Sequence, residues 1–227
     1  YRFAYNFLRY YNAIPLDGII ADLGLSSHHI DDSKRGFSFR FADAELDMRM
    51  DVNTKKNARF IINNYSLEQL VEIFNQYGEI NNSFKLAKAI VAQREQSEIL
   101  LSSDLLSIAE PFAIKGRENQ YYAKLFQALR IEVNDELLSL KELLLQLPEI
   151  LKPSARAVFI SYHSLEDRLV KNFFKTGNIE GKLNKDFYGK IITPWASSSS
   201  KVITPNENEI KDNNRARSAK LRIAIKN

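Results

Sequence analysis

The segment Asp17-Gly18-Ile19-Ile20-Ala21-Asp22-Leu23-Gly24-Leu25-Ser26 constrains the fold more than any other part of the chain. An apolar run stops on an acidic residue and breaks at once into a loop containing Gly and Ser. In an open α/β sheet, ligands sit just outside the carboxyl ends of the strands. Asp22 therefore stands where chemistry is done. A second apolar run, Ala155 to Ile160, ends in Ser161-Tyr162-His163-Ser164, and residues Ala219 to Ile225 alternate as a closing strand. The expected architecture is α/β.

Between these strands the texture changes. Residues Ala42 to Gln120 show helical spacing and no strand-like alternation. Ser66 and Gln69 have the spacing of a capping box, Leu86, Ala87, Ile90 and Val91 recur at helical intervals, and Leu101 to Ile114 reads as a short helix stopped near Gly116. A run of helices between two strand-containing regions implies an all-helical domain inserted into a sheet domain. The expected boundaries are 1–41 for the first part of the sheet domain, 42–120 for the insertion and 121–227 for the second part. In that last part, Leu125, Leu129, Val133 and Leu137 predict one long helix ending near Pro148, Lys190 to Thr193 a strand, and Ser197 to Ser200 a mobile polar loop. Ahead of the first strand, Tyr5 to Tyr11 is an aromatic amphipathic stretch that Pro15 separates from the strand.

With 227 residues, 44% hydrophobic and 26% charged, the chain can bury a full core, and its apolar runs are too short to span a bilayer. A cytoplasmic location is the expectation. The absence of cysteine excludes disulfides, zinc–thiolate sites and thiolate nucleophiles. The net charge of +4 leans towards an anionic partner. From Lys211 onward six Lys or Arg residues face one Asp, the footprint of a surface that contacts phosphates.

The loop after Asp22 carries Ser26, Ser27, His28, His29, Asp31 and Asp32. Only three histidines exist and two are adjacent, so a polar ligand-facing loop is the better reading than a metal site, and no metal is expected. Gly36, between Arg35 and Phe37, would let a loop approach a ligand closely, whereas Phe37, Phe39, Met48 and Met50 read as core. The pair Ser161/His163 lacks the G-x-S-x-G elbow of a hydrolase. Glu166 and Asp167 suit the start of a helix, so part of that signal is capping. Neither G-x-x-x-x-G-K-[ST] nor G-x-G-x-x-G occurs.

Four segments taken together, DGIIADLGLSSHHIDD, RGFSFRF followed by LDMRMD, FQALRIEVNDEL and SYHSLEDRLVKNFF, with NNRARSAKLRIAIK closing the chain, resemble the MraW/RsmH family of bacterial methyltransferases. The resemblance covers essentially the whole chain. It implies a class I, Rossmann-like methyltransferase sheet with an inserted helical domain, S-adenosylmethionine as cofactor, and methylation of a cytosine N4 in the decoding region of small-subunit ribosomal RNA. The implied partner is that RNA or the assembling small subunit, with no membrane; a homodimer stays open. The family's Gly-rich loop ending in Gly-His-Ser is not in this sequence, so the expectation is a sheet incomplete at its N-terminus. An inert RNA-binding remnant is the alternative function.

By position, Asp22 resembles the family's cofactor-contacting Asp, His29 stands where many members have a cofactor-contacting Gln, and Tyr1 lies near the adenine-side aromatic. Asp22 and His163 are the expected catalytic groups, the former accepting from the amine and the latter contacting the base or removing a proton. Arg35, Arg215, Arg217, Lys220 and Arg222 are expected to contact RNA phosphates, which position RNA without reading its sequence. Methylation at ring carbon C5 commonly needs a cysteine adduct, which this chain cannot form; amine methylation needs none.

Overall fold

The computed structural model describes residues 1–196 and 202–227; the polar run Ser197 to Ser200 lies outside the described residues. Among these, three strands form one mixed sheet in the order β1-β2-β3: β1 (Leu16–Asp22), β2 (Leu151–Ser161) and β3 (Lys220–Ile225). β1 and β2 run parallel with Asp22 opposite Ile160, and β3 runs antiparallel to β2 with Ser161 opposite Lys220. The class I methyltransferase reading fits this sheet and the helical unit between its strands.

β2 is the central strand, and its alternation is plain: Ala155, Ala157, Phe159 and Ser161 are buried. That spacing of two follows from the pleat. The same sheet unit contains α1 (Ala4–Tyr10), and its core joins Leu23, Ala157, Phe159 and Ala224 to apolar residues from two further helices. One is α8 (Glu136–Ile150), which supplies Leu140, Leu143, Leu144 and Leu147; the other is α9 (Ser164–Thr176), which supplies Val170, Phe173 and Phe174. Trp195 packs edge-on to Phe173 and Phe174 at 5.8 and 5.3 Å between ring centroids. α9 stops at Gly177, which adopts φ 75°, and a Cβ there would stand 2.7 Å from the Pro194 ring. Only glycine satisfies both demands. α10 (Glu207–Asp212) and a 3-10 turn (Asn214–Ser218) lead into β3.

The helical unit has its own core. It comprises α2 (Ser27–Asp31), α3 (Ala58–Asn64), α4 (Leu67–Gln76), α5 (Ser83–Arg94), α6 (Ser102–Ala109) and α7 (Glu118–Asn134). Ile61, Leu70, Phe74, Leu86, Ile90, Leu105, Leu125 and Leu129 meet in its centre. The capping box at Ser66 is present in both directions, with the Gln69 amide 3.3 Å from Ser66 Oγ and the Ser66 amide 2.8 Å from Gln69 Oε1.

Several features differ from the sequence expectation. The chain divides into compact units at Gly24/Leu25 and Glu136/Leu137 rather than at 41/42 and 120/121. The loop after Gly24 joins the helical core through Leu25, Phe37 and Phe39, and α7 joins it through Leu125 to Val133. The single long helix is two, α7 and α8, because Asp135 takes the left-handed conformation at φ 48°. The helix from Leu101 is shorter, α6 being followed by a 3-10 turn at Glu110–Phe112. In place of a strand at Lys190 to Thr193 there is a small hairpin joined by a single bridge, Lys185 to Ile191.

Candidate active site

The parallel register carries Asp22 to the carboxyl end of β1 beside the end of β2, where the chain leaves Ser161 into Tyr162. The Asp22 side chain is exposed, and the Tyr162 hydroxyl donates to its Oδ1 at 2.9 Å. Burial first, then the carboxylates of Asp22 and Glu166, push the Tyr162 phenol up to about 12. It therefore keeps its proton at neutral pH and acts as a donor. Gly24, at φ +91°, turns the chain directly after the strand, and a Cβ at this position would touch the Tyr162 ring at 3.4 Å. A phenol thus holds a carboxylate in one orientation at the strand end while leaving its other oxygen available to accept.

His163 has a different task. It is the N-cap of α9: its Nδ1 accepts from the Glu166 amide at 3.4 Å, and its Nε2 lies 3.3 Å from Glu166 Oε1. Glu166 Oε2 in turn accepts from the Tyr162 amide at 3.0 Å. His163, expected to contact the base or remove a proton, is about nine-tenths buried here, and its acceptor nitrogen serves the helix start. Arg222 is corrected as well. It is 7% exposed, and its guanidinium grips Asp167 in a two-point pair at 2.6 and 3.1 Å, with Lys220 Nζ 3.4 Å away. Burial would raise the Asp167 carboxyl, but the Arg222 hydrogen bonds and charge, with Lys220, outweigh it and hold it below the ordinary range. Of the expected phosphate contacts, Arg215 and Arg217 are exposed on the turn before β3.

In the helical unit, the His29 ring stacks against Phe37 at 5.2 Å between centroids, and its Nδ1 lies 3.3 Å from Ser26 Oγ. Burial and the neighbouring Arg35 charge lower its pKa, so it stays neutral at pH 7. Arg35 donates to the Arg49 carbonyl and lies 5.4 Å from the Phe37 ring centre, which makes it a brace within its own loop instead of a free phosphate contact. Gly36 explains the tightness: at φ +66°, its missing Cβ would fall 2.2 Å from the Glu45 carbonyl oxygen. The close approach inferred for Gly36 is to the chain itself. Phe37 and Met48 are core, Phe39 is partly buried, and Met50 is exposed. Tyr1 is exposed ahead of α1, its carbonyl accepting from the Ala4 amide at 3.0 Å.

A family model described as the MraW methylase family matches residues 1–227. The chain belongs to the MraW methylase family. Among curated relatives in this family, a Parabacteroides distasonis protein is 52% identical over 227 residues, which cover all of this chain and 74% of the relative. A Bacteroides thetaiotaomicron protein is 54% identical over 226 residues with the same coverage, and one from Christiangramia forsetii is 48% identical. All three are named ribosomal RNA small subunit methyltransferase H.

Membership in a methylase family implies a methyl donor; Asp22 is an exposed, oriented carboxylate at a strand end. The strand-end position of Asp22 was legible from the sequence; its partner Tyr162 was not, since it lies 140 positions away. Its signal was its place at the end of β2, in the same run as His163. Among the described residues no helix is long and apolar enough to cross a membrane.

Proposed function

We propose that this chain transfers a methyl group from S-adenosylmethionine to the N4 amine of a cytosine in small-subunit ribosomal RNA, in the cytoplasm. The observation that carries this reading is the exposed Asp22 carboxylate, held by the Tyr162 hydroxyl, in a chain that matches the methylase family end to end. The ribosomal RNA comes from the names of the relatives.

The residues present fit such a donor. A carboxylate with one oxygen unengaged can accept from hydroxyl or ammonium groups, and the Gly24 turn keeps a side chain out of the space beside the Tyr162 ring. When bound, the cofactor supplies an electrophilic methyl on a sulfonium. Cytosine N4 is a weak nucleophile because its lone pair is delocalised into the ring, so the enzyme must expose the base and align the amine. Asp22, as an acceptor for an amine hydrogen, localises that lone pair and holds the amine in line. Tyr162 keeps the carboxylate from rotating away. Glu166, capped by His163, anchors the Tyr162 backbone. Arg215 and Arg217 contribute phosphate contacts, and Tyr1 belongs to the cofactor side in this reading.

The test is calorimetry with S-adenosylmethionine on this chain and on a polypeptide of the relatives' length, with methyl transfer to small ribosomal subunits lacking the modification. Binding and transfer, both lost or sharply reduced in Asp22→Asn with melting unchanged, is the expected result. Binding and transfer by neither polypeptide would overturn the assignment and leave RNA binding without catalysis.

A further inference from the structure

The hairpin between Asn184 and Ile192 presents two aromatic rings that the fold does not use. Phe187 is 98% exposed and Tyr188 91% exposed, and they meet edge to face with centroids 5.7 Å apart. The turn beneath them is firmly built. Asp186 Oδ1 accepts from the amides of Tyr188 and Lys190 at 2.9 and 2.8 Å, the Asp186 amide donates to the Lys190 carbonyl at 2.9 Å, and the Ile192 amide reaches the Asn184 carbonyl at 2.8 Å. Gly189 completes the turn at φ +82°. The base of the segment is tied by Asn178, which exchanges hydrogen bonds with the Lys182 backbone in both directions, at 2.6 and 2.9 Å.

Exposed aromatics of this size on an ordered turn mark a contact surface. Their neighbours decide its partner. Within residues 182–190, Lys182, Lys185 and Lys190 are exposed, and the one acidic residue, Asp186, is engaged by the turn's own amides. Lysine is depleted from protein–protein interfaces. Aromatic rings interleaved with cations are instead the platform on which unpaired bases stack while phosphates are neutralised. We infer that the 182–192 hairpin is a single-stranded RNA contact of the enzyme, with Phe187 and Tyr188 stacking on unpaired bases of the substrate and Lys185 and Lys190 holding its phosphates. This rests on the proposed function only in naming ribosomal RNA as the strand that is held; the hairpin takes no part in the chemistry at Asp22.

The experiment uses the full-length enzyme, small ribosomal subunits lacking the methyl group, and single-stranded oligouridine and oligoadenosine. Phe187→Ala/Tyr188→Ala should raise KM for subunits and Kd for the oligonucleotides about thirtyfold or more, as expected for losing two stacked bases. The turnover rate and S-adenosylmethionine affinity should stay unchanged, and Phe187→Tyr/Tyr188→Phe should restore binding. Phe187→Trp adds an exposed indole to the buried Trp195, the chain's single tryptophan, and its fluorescence should be quenched by oligonucleotide. Unchanged KM and Kd in the alanine variant, or a change in its sedimentation showing that the rings join two copies of the chain, would overturn the inference. If wild-type enzyme binds oligonucleotide but transfers no methyl, the proposed function fails and the hairpin is judged by the binding arm alone.

Discussion

Two aspartates in the sheet unit, Asp22 at the end of β1 and Asp167 in the first turn of α9, meet opposite fates. Asp22 is exposed and held by a neutral phenol; Asp167 is buried and held by a guanidinium. A phenol orients a carboxylate and leaves its charge available to a ligand. A guanidinium neutralises the charge and uses both oxygens. The partner, rather than the acid, separates a carboxylate open to a ligand from one closed inside the fold.

The contrast is broken most severely at the structural pair. Arg222→Ala leaves Asp167 buried without its main counter-ion, and a loss of about 3–5 kcal/mol of stability is expected, read by urea unfolding. The pH dependence follows from the same pair. Because the folded carboxyl is held below its ordinary value, its contribution is fully present above the ordinary carboxylate range and is lost as pH falls through the folded value. Thermal melts of the wild type should therefore decline on acidification below about pH 4, and Asp167→Asn should flatten that decline. At Asp22, the acid proposed for the chemistry, the effect moves from stability to rate: Asp22→Asn should lower methyl transfer about a hundredfold or more with melting unchanged. Tyr162→Phe removes only the orienting donor, and a drop in turnover of about threefold to tenfold is expected in the same assay. Smallest is Arg217→Ala, where RNA affinity should fall slightly and the slope of binding against salt should decrease by about one ion. A slope unaltered by that change would remove Arg217 from the RNA surface.

The same pair of aspartates shows where sequence reading works. Asp22 announces itself because an apolar run and its acidic stop are contiguous, so local pattern alone places it. Arg222 misleads because a basic tail reads as a phosphate-contacting surface, although the alternation of β3 turns it inward with Ala224. Its counter-ion comes from α9, 55 positions earlier. The helix break at Asp135 was hidden for a related reason: spacing by four continues through Leu137, and only the backbone conformation shows the stop. Asp tolerates the left-handed region without announcing it as Gly would. Helical content, the capping box and the strand ends are local properties and were readable. Partners across the chain and unit boundaries depend on tertiary packing, which no local pattern encodes.

The parallel pairing of β1 with β2 has a consequence for how the molecule comes to exist in time. Residues 23 to 150 separate the two strands, so bringing them together closes a long loop before any ladder bond is made. The helical unit draws its core from residues 37 to 133 and can collapse on its own contacts. Long-range strand pairing is slow by comparison. The Asp22–Tyr162 pair should thus be among the last features assembled, and in pulsed hydrogen exchange the β1 amides should gain protection after those of α4, α5 and α7.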